Sequence, residues 1–332
     1  PLLDGSAFRD LPRGAVPVDA FYLLLNENWP MKHDEHFKGG YWIEEAFDAA
    51  YWTQFRTMAA EVARHFESKG WTEPMFEFYL NNKVYFKKTD WRRCSAAWIF
   101  DEPVHTQDFW AIRHYGREFW NAVAPFNKVR FAYRADISRP QWQRDLLDHC
   151  VNVEVVSGAL RNYWPRVQRR AKECGGLYYM YGGANAIGTP NIANAAWCIE
   201  AWSMGADGVL PWNTIGSADS WQKPDELSLF YPSEKGPLPS LRLKTFQAGQ
   251  QLVEYLTQYC AVSGESRESM MAAIRNTPGL SATLVKKNEE DAGKSQFRAE
   301  TQPSMEALRM RLGTYLDAKA PAPRERWFDP RP

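Results

Sequence analysis

The chain has 332 residues, 45% hydrophobic and 24% charged, which is enough apolar material for a large packed core and too much for a disordered polymer. Forty Lys and Arg offset forty Asp and Glu, so no net field draws the chain to nucleic acid or an anionic membrane surface. The longest apolar run, "FYLLL", is strand-sized, which argues against membrane insertion through a helix and places the function in a local site.

Residues 1–17 read as an N-terminal extension. From residue 20 onward, apolar runs alternate with helical patterns. The predicted strands are "AFYLLLN" (20–26), "MFEFYLN" (75–81), "AAWIFDE" (96–102), "VRFAYRA" (129–135), "VNVEVVS" (151–157), "GLYYMYG" (176–182) and "DGVLPWN" (207–213). Runs this apolar suit strands covered on both faces, as in a parallel sheet. Between 44 and 68, Phe47, Ala50, Tyr51, Phe55, Met58, Val62 and Phe66 recur at three- and four-residue steps, and Gly70 closes that helix. Ser138 is the predicted N-cap of the next helical run; Thr189 caps a further helix with Pro190 in its first turn and Gly205 after its end. The segment 82–95 is too short and mixed to read as a helix, and no eighth strand can be placed.

After residue 240 the alternation stops. A long helix carries Leu243, Phe246, Leu252, Leu256 and Tyr259 on one side, and helical sequence continues to about 318. Residues 286–302 read as a polar surface loop and 320–332 as an extended strap. The pattern predicts an α/β chain: a (β/α)8 TIM-type barrel over 18–265 with extra C-terminal helices and a tail over 266–332 packing on it.

Five cysteines without ligand spacing (94, 150, 174, 198, 260) read as buried thiols, and His33 and His36 as a solvated loop, so no metal is expected. No phosphate-cradling glycine loop appears, and no cofactor is expected. Fifteen Trp, fifteen Tyr and eighteen Phe chiefly build a core, but Trp and Tyr also stack on sugar rings, a mild lean toward a carbohydrate partner.

In such a barrel chemistry collects where strands end. Polar residues stand at those ends: Asn26 and Glu27, then Asn81 and Asn82, then Asp101 and Glu102, then Arg134 and Asp136, then Tyr181 and Asn185, then Trp212 and Asn213. Amides, carboxylates and aromatics, with no lysine or cysteine nucleophile among them, suit a neutral hydroxyl-rich ligand. Asp101 and Glu102 would face opposite ways in a regular strand. With Pro103 next, the pleat can break and turn both into one pocket. Two adjacent carboxylates cannot easily flank a glycosidic bond from opposite sides. They can serve a reaction in which the sugar's own 2-acetamido oxygen attacks the anomeric carbon, one carboxylate orienting the amide and the other protonating the leaving oxygen.

The stretches "WIFDEPVH", "RADISRPQW", "YGGAN", "GADGVLPWNT" and "FYPSEKGPLPSLRLKTFQAGQQLVEYL" follow one another over roughly residues 18–260. Together they resemble the catalytic domain of glycoside hydrolase family 123, also known as domain of unknown function 4091, and "FYLNNK" and "DISRP" resemble an uncharacterised branch of it. The resemblance implies a (β/α)8 barrel and a β-N-acetylgalactosaminidase type of activity. It also implies that Asp101 holds the acetamido nitrogen and stabilises an oxazolinium-like intermediate, while Glu102 is the general acid and then the base. For that, Glu102 needs a raised pKa and Asp101 must stay ionised. Family members carry a β-sandwich ahead of the barrel, for which residues 1–17 are too short. The habits of glycan-degrading enzymes imply an extracytoplasmic location.

Other residues have weaker roles. Tyr181 is placed to donate to the acetamido carbonyl, with Trp212 or Trp221 as an apolar wall, or all three pack in the core. Asn26, Asn81, Asn82, Asn185 and Asn213 bind hydroxyls or make turns. Arg134 either meets the ligand or pairs with Asp136, and Glu200 stands as a spare acid on an outer helix. The leading expectation is a retaining exo-β-N-acetylhexosaminidase. The alternatives are a glycosidase on a sugar without the acetamido group, pairing Glu102 with Glu27 or Asp136, and a non-catalytic glycan-binding or scaffold barrel.

Overall fold

The computed structural model describes residues 1–40, 42–85, 90, 94–182, 188–212, 214–222, 228–286 and 294–319. Its contacts divide the described chain into two compact units, one of residues 1–155 with 169–177, the other of 156–168 with 178–319.

The first unit opens with strand β1 (Ala20–Tyr22), two single-turn helices, α1 (His33–His36) and α2 (Ile43–Ala46), and the long helix α3 (Ala49–Ser68). Asp48 caps α3 by accepting from the Tyr51 N–H at 2.8 Å, and Gly70, at φ +68°, allows the left-handed exit that a β-carbon would strain. Strand β2 (Met75–Tyr79), helix α4 (Thr106–Val123), strand β3 (Arg130–Ile137), the short helix α5 (Pro140–Gln143) and strand β4 (Val153–Val156) complete this unit. The strands follow chain order, and β1 with β2 and β2 with β3 pair in parallel: Tyr22 lies opposite Glu77, and Tyr79 opposite Arg134.

Burial explains the arrangement. Every residue of β2 is buried, whereas β1 at the edge exposes all three of its residues, shorter and wetter than its apolar sequence implies. An inward alternation begins only past the ladder, with Leu23 and Leu25 buried and Leu24 exposed. The core beneath is aromatic: Phe78 stacks on Phe119 at 4.5 Å and on Tyr133 at 5.1 Å, and Phe55 meets Phe78 at 5.8 Å. Gly116 on α4 lets the helix approach β3, since a β-carbon there would fall 2.3 Å from the Cys150 sulfur and 2.6 Å from the Tyr133 ring.

Helix α6 (Leu160–Cys174) is shared across the division. The second unit holds strands β5 (Leu177–Gly182) and β6 (Gly208–Pro211), parallel in register from Tyr179–Gly208 to Gly182–Pro211, with helix α7 (Ile192–Ser203) between them. Two short pairs, β7 (Phe230–Tyr231) with β8 (Leu238–Pro239) and β9 (Thr283–Lys286) with β10 (Lys294–Gln296), flank helices α8 (Leu241–Ser263) and α9 (Arg267–Arg275), and α10 (Thr301–Asp317) ends the described chain. Ile199 and Trp202 of α7 share a core with Leu252, Leu256, Met270, Ile274, Leu308 and Leu312. No helix among the described residues is long and apolar enough to cross a membrane.

The result is a mixed α/β fold with six parallel strands among the described residues, not the closed eight-stranded barrel expected from sequence. Six of the seven predicted strands form, each within a few residues of its predicted range. The exception is 96–102, which is a run of bends. Its backbone groups are taken by side chains before a ladder can use them. The Asn82 amide donates to the carbonyls of Trp98 (2.6 Å) and Ala96 (3.3 Å) and accepts from the Ser95 N–H (3.0 Å), and Asp108 accepts from the Ile99 N–H (3.1 Å).

Smaller expectations also change. The histidine pair is no solvated loop: His33 is fully buried, its Nε2 bonded to the Tyr51 and Tyr115 hydroxyls, and burial lowers its pKa to about 3. Arg139, not Ser138, precedes α5, and Asn191, not Thr189, precedes α7. Cys150 and Cys198 are buried, but Cys94, Cys174 and Cys260 are only partly so. The predicted loop at 286–302 contains β10 and the start of α10. The predicted strap over 320–332 lies outside the described residues.

Candidate active site

All the geometry of the Asp101–Glu102 site is built within the first unit. Phe100 and Asp101 both donate their backbone N–H to the Asn82 carbonyl, at 2.7 and 3.1 Å, which ties the carboxylate segment to the end of β2. The Glu102 N–H donates to the Asp136 carbonyl at the end of β3, at 3.0 Å. Glu102 sits at φ +60°, a left-handed conformation costly for a residue with a β-carbon. This turn, more than a broken pleat before Pro103, brings the consecutive side chains to one cation: Lys83 Nζ lies 2.9 Å from Glu102 Oε2 and 3.6 Å from Asp101 Oδ2. His105 is the N-cap residue of α4, with Asp108 completing the capping box, so Asp101 does not cap that helix.

The pair has opposite pKa tendencies, in the reverse of the order expected from sequence. Burial pushes Asp101 up to about 6, with Asp136 and Glu102 adding to the rise and Lys83 opposing it. Burial acts upward on Glu102 too, but hydrogen bonding by Ser138 and Lys83 and the charges of Lys83 and Arg139 hold it below its ordinary value. Burial acts downward on Lys83, but the charges and hydrogen bonds of Asp101 and Glu102 outweigh it and hold the ammonium above its ordinary value.

Arg134 is spent on other carboxylates. Its Nε and Nη2 form a fork on Asp136 at 2.7 and 2.9 Å, its Nη1 reaches Glu77 at 3.4 Å, and its plane lies over the Tyr79 ring at 4.6 Å. Of the two readings left open for this residue, pairing with Asp136 holds. Tyr79 and Tyr22 meet edge to face at 5.9 Å, and burial raises the pKa of both, so they remain protonated donors.

The amides divide by role. Asn82 is buried and structural, as its bonds above show. Asn26 is used in its own turn, accepting from the Asn28 N–H at 2.9 Å and donating to the Leu24 carbonyl at 3.2 Å. Asn81 is exposed, and its backbone N–H meets Glu27 at 3.2 Å. Glu27 is fully buried, with Ser95 donating to it at 2.6 Å and burial raising its pKa.

Tyr181, Trp212 and Trp221 belong to the second unit. Tyr181 and Trp212 meet edge to face at 6.0 Å, while Trp221 packs on Tyr231 at 4.9 Å and donates its indole N–H to the Pro232 carbonyl at 2.7 Å. Trp212 and Trp221 are exposed rather than core residues. Glu200 is not on an outer face: it is buried in α7, gripped by Arg161 at 2.6 and 3.1 Å and by the Ala282 N–H at 2.8 Å, an occupied structural acid. Asn185 and Asn213 lie outside the described residues.

Lys83 and Ser138 are the site residues that the strand-end reading missed. Lys83 directly follows the two asparagines after β2, a legible signal set aside because that reading treated the site as one without lysine. Among the described residues no three His, Cys, Asp or Glu side chains gather to hold a metal ion.

No protein-family model matches the chain, and no curated protein matches it by sequence. Among solved structures it is similar to a family 123 glycoside hydrolase from Clostridium perfringens, studied for glycolipid glycan hydrolysis, with a TM-score of 0.54 at 12% identity over 82% of this chain and 46% of that one. The chain thus spans about half the length of that enzyme. At this identity the likeness concerns the fold. An endo-β-1,4-glucanase from Xanthomonas axonopodis pv. citri aligns over 70% of this chain and 74% of its own at 13% identity, with a TM-score of 0.33 that bears no argument.

Proposed function

We propose that the protein is a retaining glycoside hydrolase that removes a terminal β-linked N-acetylhexosamine, N-acetylgalactosamine before N-acetylglucosamine, by substrate-assisted catalysis. The observation that carries this reading is the convergence of two consecutive carboxylates on one ammonium, produced by the left-handed backbone at Glu102. In this reading Asp101 accepts the acetamido N–H and fixes the amide so that its oxygen attacks the anomeric carbon. Glu102 gives its proton to the leaving oxygen, then takes one from the water that opens the oxazoline. The fold likeness to a family 123 enzyme supports a glycosidase in general, and the preference for N-acetylgalactosamine rests on the sequence resemblance alone.

A two-strand mechanism is disfavoured because the other carboxylates named for it are engaged, Asp136 by Arg134 and Glu27 by Ser95 and the Asn81 N–H.

The test is release of nitrophenol from aryl β-N-acetylgalactosaminide, β-N-acetylglucosaminide and β-galactoside. Cleavage of N-acetyl sugars alone, a loss of about 10²-fold or more in both Glu102→Gln and Asp101→Asn, and inhibition by a thiazoline mimic of the oxazoline are expected. Cleavage of the galactoside with Asp101→Asn unharmed would instead establish the two-strand route. Glycan binding without cleavage of any sugar would indicate a binding barrel.

A further inference from the structure

Substrate-assisted cleavage needs Asp101 as an anion, to accept the acetamido N–H, and a proton on Glu102. In the unliganded site burial raises Asp101 to about 6 while Glu102 lies below its ordinary value, so in the acidic range where the pair keeps one proton that proton sits on Asp101. Among the described residues around the pair stand three cations, Lys83, Arg134 and Arg139, and four carboxylates, Glu77, Asp101, Glu102 and Asp136. Within that described set one carboxylate is in excess, which favours retention of a proton in the cluster. Arg134 is committed to Asp136 and Glu77, and Arg139 acts on Glu102 with the Ser138 hydroxyl. Tyr22 and Tyr79 are neutral donors. Among the described residues Lys83 is the cation placed against both members of the pair, and about half of its side chain is in solvent, so it can swing away without opening the core.

We propose that Lys83 is a positioning residue for this reaction: bridging the pair, it keeps the proton on Asp101 and Glu102 ionised until a sugar enters, and its withdrawal from Glu102 lets the proton cross. The inference rests on the reading of Asp101 and Glu102 as the catalytic pair. The step moves one proton from an Asp101 carboxyl oxygen to a Glu102 carboxylate oxygen and leaves the charge of the pair unchanged. The acetamido N–H then occupies the acceptor that Asp101 has freed, and Glu102 holds the proton the leaving oxygen requires. A sugar without the acetamido group offers Asp101 no N–H and leaves the proton where it was. Lys83 thereby adds to selectivity for N-acetyl sugars beyond the shape of the pocket.

Carboxyl carbon-13 NMR titration of the free protein tests this, on the parent chain, Lys83→Met and Lys83→Arg. In the parent, Glu102 should titrate below Asp101; in Lys83→Met its midpoint should rise by about one pH unit or more, and Lys83→Arg should restore most of the difference. On aryl β-N-acetylgalactosaminide the alkaline limb of kcat/KM should move upward in Lys83→Met by a similar interval, a change that a merely destabilised fold would not produce. A Glu102 midpoint that does not move, or one above Asp101 in the parent, overturns the inference while leaving the glycosidase reading intact. An NMR shift with no turnover of any sugar overturns the glycosidase reading and, with it, the catalytic role of Lys83.

Discussion

Asn82→Ala separates two accounts of one residue, a sugar-binding amide at a strand end or the organiser of the segment that carries the carboxylates. The side chain is buried and donates to the carbonyls of Val84, Ala96 and Trp98 while accepting from the Ser95 N–H. Val84 is exposed and can rebond to water, whereas Ala96 and Trp98 are buried and cannot. Two stranded carbonyls and one N–H left short of an acceptor, at about 1 kcal/mol each, give a loss of about 3 kcal/mol. For a body of this size that is a fall in Tm of roughly 6–12 °C, readable by calorimetry. The bonds from Phe100 and Asp101 go to the backbone carbonyl of residue 82 and survive the substitution, but the segment following Ser95 loses its anchor. kcat on an aryl N-acetylhexosaminide should therefore fall about tenfold or more through misplacement of the pair. A variant that melts within about 2 °C of the parent and shows only a raised KM would refute this reasoning and return Asn82 to the role of sugar ligand.

Asp101→Asn should show a stability effect of definite sign. The folded pKa of about 6 lies above the ordinary 3.8, so the folded chain binds this proton more tightly than the unfolded one; the stabilisation is full below about 3.8 and is lost as pH rises through 6. Because the side chain is partly solvated, the discounted effect is about 1–2 kcal/mol, and Asp101→Asn should exceed the parent by that amount at pH 7.5 and match it near pH 4 in urea titrations. A difference independent of pH would show that the charge is not the cause. Gly116→Ala should cost about 2–4 kcal/mol, because the new methyl meets the Cys150 sulfur and the Tyr133 ring inside normal contact distance. An urea midpoint close to that of the parent would mean α4 can shift away from β3 without loss.

Much of the framework was legible from local pattern. The apolar runs of β2 to β6 and the three- and four-residue spacing in α3 and α8 reflect periodicities imposed by neighbouring residues, whereas the N-caps read at Ser138 and Thr189 fell one and two residues early. The pairing of Arg134 with Asp136 was also readable, since residues two apart on a strand share a face. The run 96–102 failed because hydrophobicity reports burial, not hydrogen-bond partners. Ala96, Trp98 and Phe100 are buried as a strand would be, but Asn82 and Asp108 claim their neighbours' backbone groups from a distance in sequence.

The same contrast holds in the site. The adjacency of Asp101 and Glu102 is a fact of sequence, and it alone directed attention to a reaction that uses neighbouring carboxylates. Which of them carries the proton was decided by the fold, because a carboxylate's proton affinity depends on burial and on charges within a few ångströms. Lys83 arrives from the end of β2, and Ser138, Arg139 and Asp136 from the end of β3 and just beyond it, each many residues away in the chain. Only folding brings them within that range, so local sequence supplied the acids and tertiary structure their electrostatic order.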